Sequence, residues 1–551
     1  MSALQVWAVD PLEKVFGDDR PPDDAATSVE MHAVRNQHAN AQVAVRARAD
    51  LEGVEVSASA LEGDGGEEVG VDVRRVGYVP VEQNTPDTPP EELVREAPAE
   101  FPDPLLEETT FDLGAGETRP VWLTFRTPED GAGTYEGTLT VDSGEDRREV
   151  DLAVTLHPAT LGEGSEPWLL NYLSTGRLAA FHDVERWSEP FWDRLAAYAE
   201  NMASHRQNVI NASLHDLVTC RVGGGDADLS FDFERFDRFV ETFEDAGVVG
   251  RVSAGSLARK PDRVNRSDED TEVDPDATEL FSYPQTVRDA EGNVDHVRET
   301  VRVSDPAFEE FLAAFLPAFE RHLEERGWLD ATLLDIADEP TDEFAESYNA
   351  VGELVREHAP RLKTVEPTST HDVAEYLDVW VPMIQNYEAD REFYEGQQAA
   401  GDEVWHYTAL SPRGRYPNRF VDFSLVKVRV LQWLTFAYDL EGFLHWGYNY
   451  WTDDPYDDVE NEPTHPFRLP PGDPFIVYPG EDGPVDSLRW EATRASVDDY
   501  ELLCLVAERE GREAALELCE RVATSATEYV RDPAAFREVR DELVRRAAGD
   551  E

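Results

Sequence analysis

The chain has 551 residues, more than the roughly 250 to 300 at which a single hydrophobic core stops growing, so at least two domains are expected. Acidic residues number 116 against 49 basic ones, a formal net charge of −67 spread along the whole sequence, which excludes nucleic acid and anionic membranes as partners because both need clustered Lys and Arg. With 41% hydrophobic residues and 12 tryptophans the chain is not a disordered polyanion; four lysines (Lys14, Lys260, Lys363, Lys427) against 45 arginines make the acidic composition expected of a halophilic protein, whose self-repulsion is screened over about 3 Å in molar salt.

The N-terminus, MSALQVWAVDPLEK, lacks a charged start followed by an apolar run, and no stretch of about 18 apolar residues occurs. The chain is read as cytoplasmic. Cys220, Cys504 and Cys519 form no CxxC pair and no disulfide framework. Residues 1 to about 160 hold short alternating runs, among them AQVAVRA, VEVSAS, RPVWLTFRT and YEGTLTV, punctuated by Gly, Asp and Pro. Period 2 with such breaks predicts an antiparallel β-sandwich domain over residues 1–160. The Pro- and Glu-rich segment from Asn84 to Phe111 reads as a long loop within it.

From about residue 165 to 551 the pattern changes. Strand-like runs WLLNYLST, NVINASL, VVGRVSAG, ATLLDIADEP, KTVEPTS, VWVPMIQ, EVWHYTAL and GFLHWGYNYW alternate with helix-period segments such as EPFWDRLAAYAENMASH, PAFEEFLAAFLPAFERHLEERG and FSLVKVRVLQWLTFAYDLEG. The last two end on Gly at an expected helix C′ position. Eight alternations predict an α/β domain, a (β/α)8 TIM barrel, with C-terminal helices completing the chain. An open doubly wound sheet is the alternative, since alternation does not show closure. The acidic stretch from about 256 to 300 reads as an insertion over the barrel mouth.

In such a barrel the chemistry lies where strands end and βα loops begin. The fourth run, LLDIADEPTDE, places Asp335, Asp338 and Glu339 on an otherwise apolar strand, where charges cost several kcal/mol unless paired or functional. Glu339 is the expected general acid and Asp338 its electrostatic partner, and Pro340 is expected to hold Glu339 extended. The alternative is a helix N-cap with first-turn charges. Aromatic residues crowd the later strand ends: Tyr387, Trp405, Tyr407, Trp446 and Trp451, with Asn449, Glu366 and His445 as polar companions. Rings that pack on C–H faces beside a few placed polar groups point to a saccharide, although any one ring could be core. The histidines show no metal spacing, and phosphate loops, nucleophile elbows and dinucleotide fingerprints are absent, so no metal or cofactor is expected.

These residues also resemble a family. RPVWLTFRTPEDGAGTYEGTLTV, DIADEP, VWVPMIQ, GDEVWHYT, RYPNRFVD, GFLHWGYNYW, GDPFIVYPG and SLRWEATRASVDDYELL stand in the order found in the catalytic region called domain of unknown function 4091, which is similar to glycoside hydrolase family 123. The resemblance implies a β-sandwich followed by a (β/α)8 barrel, and a β-N-acetylgalactosaminidase-like hydrolase whose adjacent Asp-Glu pair maps onto Asp338 and Glu339. It further implies a retaining mechanism in which the substrate's 2-acetamido oxygen is the nucleophile, an exception to the two-carboxylate scheme. Ser496 departs from the family's small-residue pattern, at a position expected to concern helix packing. A glycosidase acting on a sugar without an acetamido group, or a non-catalytic carbohydrate-binding protein, stays open on the residues alone. The oligomeric state is not legible.

Overall fold

The computed structural model describes residues 3–63, 67–162, 166–222, 229–248, 250–259, 281–282, 286–288, 294–295 and 301–549. Eight parallel strands close into a barrel in chain order: β1 (Trp168–Asn171), β2 (Val209–Ser213), β3 (Arg251–Gly255), β4 (Thr332–Asp335), β5 (Lys363–Pro367), β6 (Val379–Val381), β7 (Glu403–Thr408) and β8 (Gly442–His445). β8 pairs with β1, so no edge strand remains and the open-sheet alternative falls. The strands obey period 2. Leu170, Val209, Leu333, Val365, Val379, Trp405 and Leu444 meet inside the barrel, while Leu169, Ile210, Leu334, Val404 and Phe443 face the helical layer.

Gly327 ends the helix Pro306–Arg326 at φ 80°, in the left-handed conformation expected of a C′ glycine. Gly442 does not play that part. The helix Leu425–Ala437 ends at Tyr438, followed by Asp439 at φ 58°, and Gly442 instead opens β8. A Cβ there would lie 2.7 Å from the Trp405 ring and 2.8 Å from the Trp168 Cβ, so the bare backbone makes room for the indole filling the barrel.

Strands between Leu4 and Thr160 pair as one 11-stranded sheet wrapped around a core that includes Val43, Val45, Val54, Leu123, Phe125, Leu139 and Leu152. Pairing is antiparallel except between Arg147–Thr160 and Ser28–Arg35, which run parallel. The expected loop from Asn84 to Phe111 contains a strand, Ala99–Leu106, paired with Glu68–Val81. Its two prolines, Pro102 and Pro104, hide it in the sequence; a strand with one sheet neighbour tolerates their missing amides.

That strand also fastens the two parts of the chain. Buried Arg489 forks onto Asp103 (3.0 and 2.9 Å), donates to the carbonyls of Arg419, Gly472 and Phe475, and shares Asp103 with the Tyr478 hydroxyl. Lys14 Nζ donates to the Val421 carbonyl at 2.5 Å, and Arg74 pairs with Asp486 (2.6 Å) and Glu491. Breaking one such buried pair costs about 3 to 5 kcal/mol, so the sandwich is held to the barrel by charge as well as by apolar packing. A cavity of about 720 Å³ lies in this seam; of its lining charges Arg537 pairs with Asp10, and Arg429 reaches out to Asp499. The acidic insertion expected from about 256 to 300 falls largely outside the described residues. Among the described residues no helix is long and apolar enough to cross a membrane.

Candidate active site

β4 delivers the acidic pair, and its neighbours on both sides fix where the pair stands. At Gly255, the end of β3, a Cβ would lie 2.4 Å from the Asp335 Cβ, so glycine lets the two strands approach. Beyond β4 the amides of Leu257 and Ala258 donate to the carbonyls of Asp335 (3.2 Å) and Ile336 (2.8 Å). From the other flank Glu366 of β5, wholly buried, accepts the Ala337 amide on Oε2 at 3.1 Å, and the Thr368 hydroxyl donates to the Pro340 carbonyl at 2.9 Å. Asp338 and Glu339 form the turn between these clamps, both half-buried.

Glu339 sits at φ 49°. This corrects the expectation that Pro340 keeps it extended: the clamps override the local preference and hold a side-chain-bearing residue in the left-handed region, at a cost of about 1 kcal/mol or more. Strain of this kind persists only where the surroundings over-determine the backbone, and it gathers at functional turns. The carboxylate is oriented as well. Tyr407 Oη donates to Glu339 Oε1 at 2.7 Å, and the Tyr407 ring is packed in the barrel interior, its amide bonded to the Pro382 carbonyl at 3.0 Å.

Tyr172, one residue beyond β1, completes the group. Burial pushes its hydroxyl well above the usual phenol range, helped by the negative fields of Asp335 and Glu366 and then by Tyr450 and Glu339. It stays a neutral phenol in the field of these carboxylates. The sequence reading found β1 but passed over Tyr172, although counting two on from inward Leu170 would have pointed it into the barrel.

The other expected residues divide sharply. Trp405 is wholly buried among the side chains filling the barrel. Tyr387 is wholly buried outside it, stacked on Tyr394 and Tyr438 at 5.8 and 5.3 Å, its hydroxyl donating to the Tyr438 carbonyl. Trp451 is buried with Nε1 donating to the Val477 carbonyl at 2.8 Å. Asn449 spends both ends of its amide on Ser174, accepting from N at 2.7 Å and donating to O at 3.2 Å. His445 is buried with Nδ1 accepting the Gly447 amide. All five are buried, and the structure does not bring them to the surface of the mouth. Trp446 is different: half-buried immediately after β8, it donates Nε1 to Asp473 at 3.1 Å and packs against Tyr450 (5.2 Å) and His465 (5.3 Å).

The glycoside hydrolase 123 catalytic-domain model matches residues 173–506, and the glycoside hydrolase 123 N-terminal-domain model matches residues 17–143. The chain belongs to glycoside hydrolase family 123. A solved family 123 glycoside hydrolase from Clostridium perfringens, described as hydrolysing glycolipid glycans, superposes with TM-score 0.75 at 14% identity, over 100% of this chain and 97% of that one. A Parabacteroides merdae β-glucuronidase aligns with TM-score 0.31 at 9% identity over 90% and 52%, and a Thermotoga petrophila endo-β-1,4-mannanase with 0.34 at 12% over 62% and 78%; neither likeness carries argument. No curated protein matches.

As a family 123 glycoside hydrolase, the chain places many of its recognisable motif residues in scaffolding. Arg419 of RYPNRFVD donates to Asn171 Oδ1 at 2.6 Å, at the last residue of β1. Arg489 ties GDPFIVYPG to the sandwich, as described above. Ser496 donates to the Arg429 carbonyl at 2.8 Å and joins the two long helices, a packing role. DIADEP carries the acidic pair, and Tyr407 of GDEVWHYT bonds to it.

Proposed function

We propose that this glycoside hydrolase is a retaining exo-β-N-acetylhexosaminidase, N-acetylgalactosamine being the favoured sugar, whose nucleophile is the substrate's own 2-acetamido oxygen. The observation that carries the reading is the clamped Asp338-Glu339 turn with Tyr407 on the Glu339 carboxyl. Glu339 gives its proton to the glycosidic oxygen as the C1–O bond breaks, while the acetamido oxygen bonds to C1 and closes an oxazolinium ring. Asp338 orients the acetamido N–H and stabilises the positive charge that develops. Glu339, now ionised, takes a proton from water, whose oxygen attacks C1 and reopens the ring with overall retention.

Glu366 is the other acidic side chain a two-carboxylate scheme would enlist. It is wholly buried with Oε2 on the Ala337 amide, a placement suited to holding backbone. Asp335, half-buried on β4, favours the second reading, a glycosidase for sugars lacking the acetamido group, in which an enzyme carboxylate attacks C1. The acidic, lysine-poor composition supports work in a salt-rich cytoplasm. The test is turnover in high KCl of paired aryl glycosides differing only at C2. The 2-acetamido substrate should be hydrolysed and the 2-hydroxy one be essentially inert, and a thiazoline mimic of the ring intermediate should bind far more tightly than substrate. Comparable turnover of both sinks the assisted mechanism.

A further inference from the structure

The seam between sandwich and barrel holds the cavity of about 720 Å³, a size within the about 300 to 1,000 Å³ of small-molecule sites, which gather at such domain junctions. One wall is a face of the sandwich sheet. Val9 stands opposite Gln42, Gln42 opposite Trp122, and Asn40 and His38 lie two and four residues back along the strand of Gln42. Period 2 therefore turns Val9, Trp122, Asn40 and His38 to the same side, and all four line the cavity. The facing wall is helical, with Ala492 and Ala495 of the helix Leu488–Glu510 and Phe536 of the helix Pro533–Ala548. Room remains because the long helix turns alanines, and no larger side chains, toward the sheet at these two positions.

The lining is fixed and carries an unmet donor. Gln42 Nε2 donates to the carbonyls of Asp10 and Glu13 at 3.2 and 2.9 Å, which pins the turn at the cavity's edge. Trp122 is 2% exposed, and its Nε1 meets no acceptor among the described residues. A buried N–H left this way is costly, and folded proteins seldom keep one.

Charge then selects the occupant. Burial pushes His38 down to about 3, so its ring is neutral and offers one donor and one acceptor. The helix-borne arginines are committed: Arg537 to Asp10 at 2.8 Å, Arg429 to Asp499 at 2.5 Å and Arg540 to the His32 carbonyl. Carboxylates outnumber cations along the lining, which disfavours an anion, and an alkyl chain would strand the polar groups. We propose that this cavity is a second saccharide site, outside the barrel, for a neutral pyranose. Sugar C–H faces pack on Trp122 and Phe536, one hydroxyl accepts from Trp122 Nε1, and others exchange hydrogen bonds with His38 and Asn40. The site uses none of the residues assigned to hydrolysis, so it stands or falls apart from that mechanism.

The full-length chain in about 3 M KCl is titrated calorimetrically with lactose, maltose, N-acetylgalactosamine, galacturonate and glycerol, the thiazoline mimic being present to fill the barrel site. At least one of the three neutral sugars should bind saturably, and galacturonate about tenfold more weakly. Trp122→Phe removes an N–H that nothing accepts, so melting should hold while sugar affinity falls about 3- to 10-fold. Ala495→Met fills the cavity from the facing wall and should abolish binding. A hydrogen-exchange footprint of the bound sugar on wild type needs no variant and should fall on residues 8–13 and 37–41. No saturable binding of any neutral sugar, affinity unmoved by both variants, or a footprint confined to the barrel overturns the proposal. Galacturonate or glycerol bound as tightly as the sugars, and lost in the same variants, overturns it too, giving the cavity to an anion or a small polyol.

Discussion

Tyr407→Phe isolates the contact that the geometry makes most of. The hydroxyl stands 2.7 Å from Glu339 Oε1, so the hydrogen bond becomes charge-assisted as Glu339 yields its proton to the leaving group. Such a bond contributes about 1.5 to 3 kcal/mol net, and each 1.4 kcal/mol is about tenfold. Hydrolysis of glycosides with poor leaving groups should therefore slow by about 10- to 100-fold, because the carboxyl loses the donor that aims it. The deletion removes one oxygen and leaves the ring in the barrel interior, so stability should change by less than about 1 kcal/mol. Activated aryl glycosides, which need little protonation, should lose much less in their first step. The assay is kcat/KM for both leaving-group classes in high KCl, beside thermal melting, in wild type, Tyr407→Phe, Glu339→Gln and the double variant. If Tyr407 acts through Glu339, adding Tyr407→Phe to Glu339→Gln should cost at most about threefold more. The same loss in both backgrounds would refute the argument, as would undiminished hydrolysis of poor leaving groups by the single variant.

Glu339→Gln should keep the fold and slow poor leaving groups by about 10² to 10⁴-fold, whereas Asp338→Asn should impair both classes, because charge at the sugar must be stabilised whatever departs; equal sensitivity profiles for the two variants would contradict the assigned roles. Melting temperature should climb steeply between about 0.1 and 3 M KCl as the −67 charge is screened, and a flat or falling trend would count against the halophilic reading. Trp405→Ala should destabilise the fold by about 3 to 5 kcal/mol, while Trp446→Ala should cost about 1 to 3 kcal/mol through the donor lost to buried Asp473 and weaken sugar binding by about 1 kcal/mol, as melting and titration of the two variants would show. Burial pushes the Asp473 carboxyl up to about 7 against the hydrogen bond from Trp446. A raised carboxyl favours the fold fully below its ordinary value of 3.8, and that contribution drains away as pH climbs from there through about 7, so wild type should lose stability between about pH 4 and 7 that Asp473→Asn keeps; parallel melting curves across that window would remove Asp473 from the account.

What the sequence made legible was whatever period and strand order determine. Eight apolar runs, each ending near a polar turn, imply a barrel and put Asp338-Glu339 at its mouth, because the C-terminal end of β4 is the mouth in any such barrel. What it concealed depended on which neighbour a residue meets. Pro102 and Pro104 made Ala99–Leu106 read as loop, although strand pairing on one side and the Arg489–Asp103 fork on the other hold it straight. Pro340 spoke for an extended Glu339, and four contacts, from Leu257 and Ala258 beyond β3, Glu366 of β5 and Thr368 just past it, outvoted it. For the aromatic residues, chain position sorted nothing. Trp405 and Tyr407 are two apart on one face of β7 and both point inward, yet Trp405 lies opposite Gly442 at the start of β8 while Tyr407 lies opposite Leu444 near its end.

Depth along the barrel axis is therefore the coordinate that separates core from site, and register supplies it. Tyr172 follows Asn171, which is level with His445; His445 is level with Thr408, one residue past Tyr407. On the inward face this brings Tyr172 and Tyr407 to nearly the same height, the height at which β4 ends. A sequence reading that aligned the eight strands by their last inward residue, instead of by hydrophobicity alone, would have kept Tyr407, added Tyr172 and dropped Trp405. It would still have missed Tyr387 as packing, because that residue lies beyond the last strand residue of β6, where register no longer applies and only the rings of Tyr394 and Tyr438 decide its surroundings.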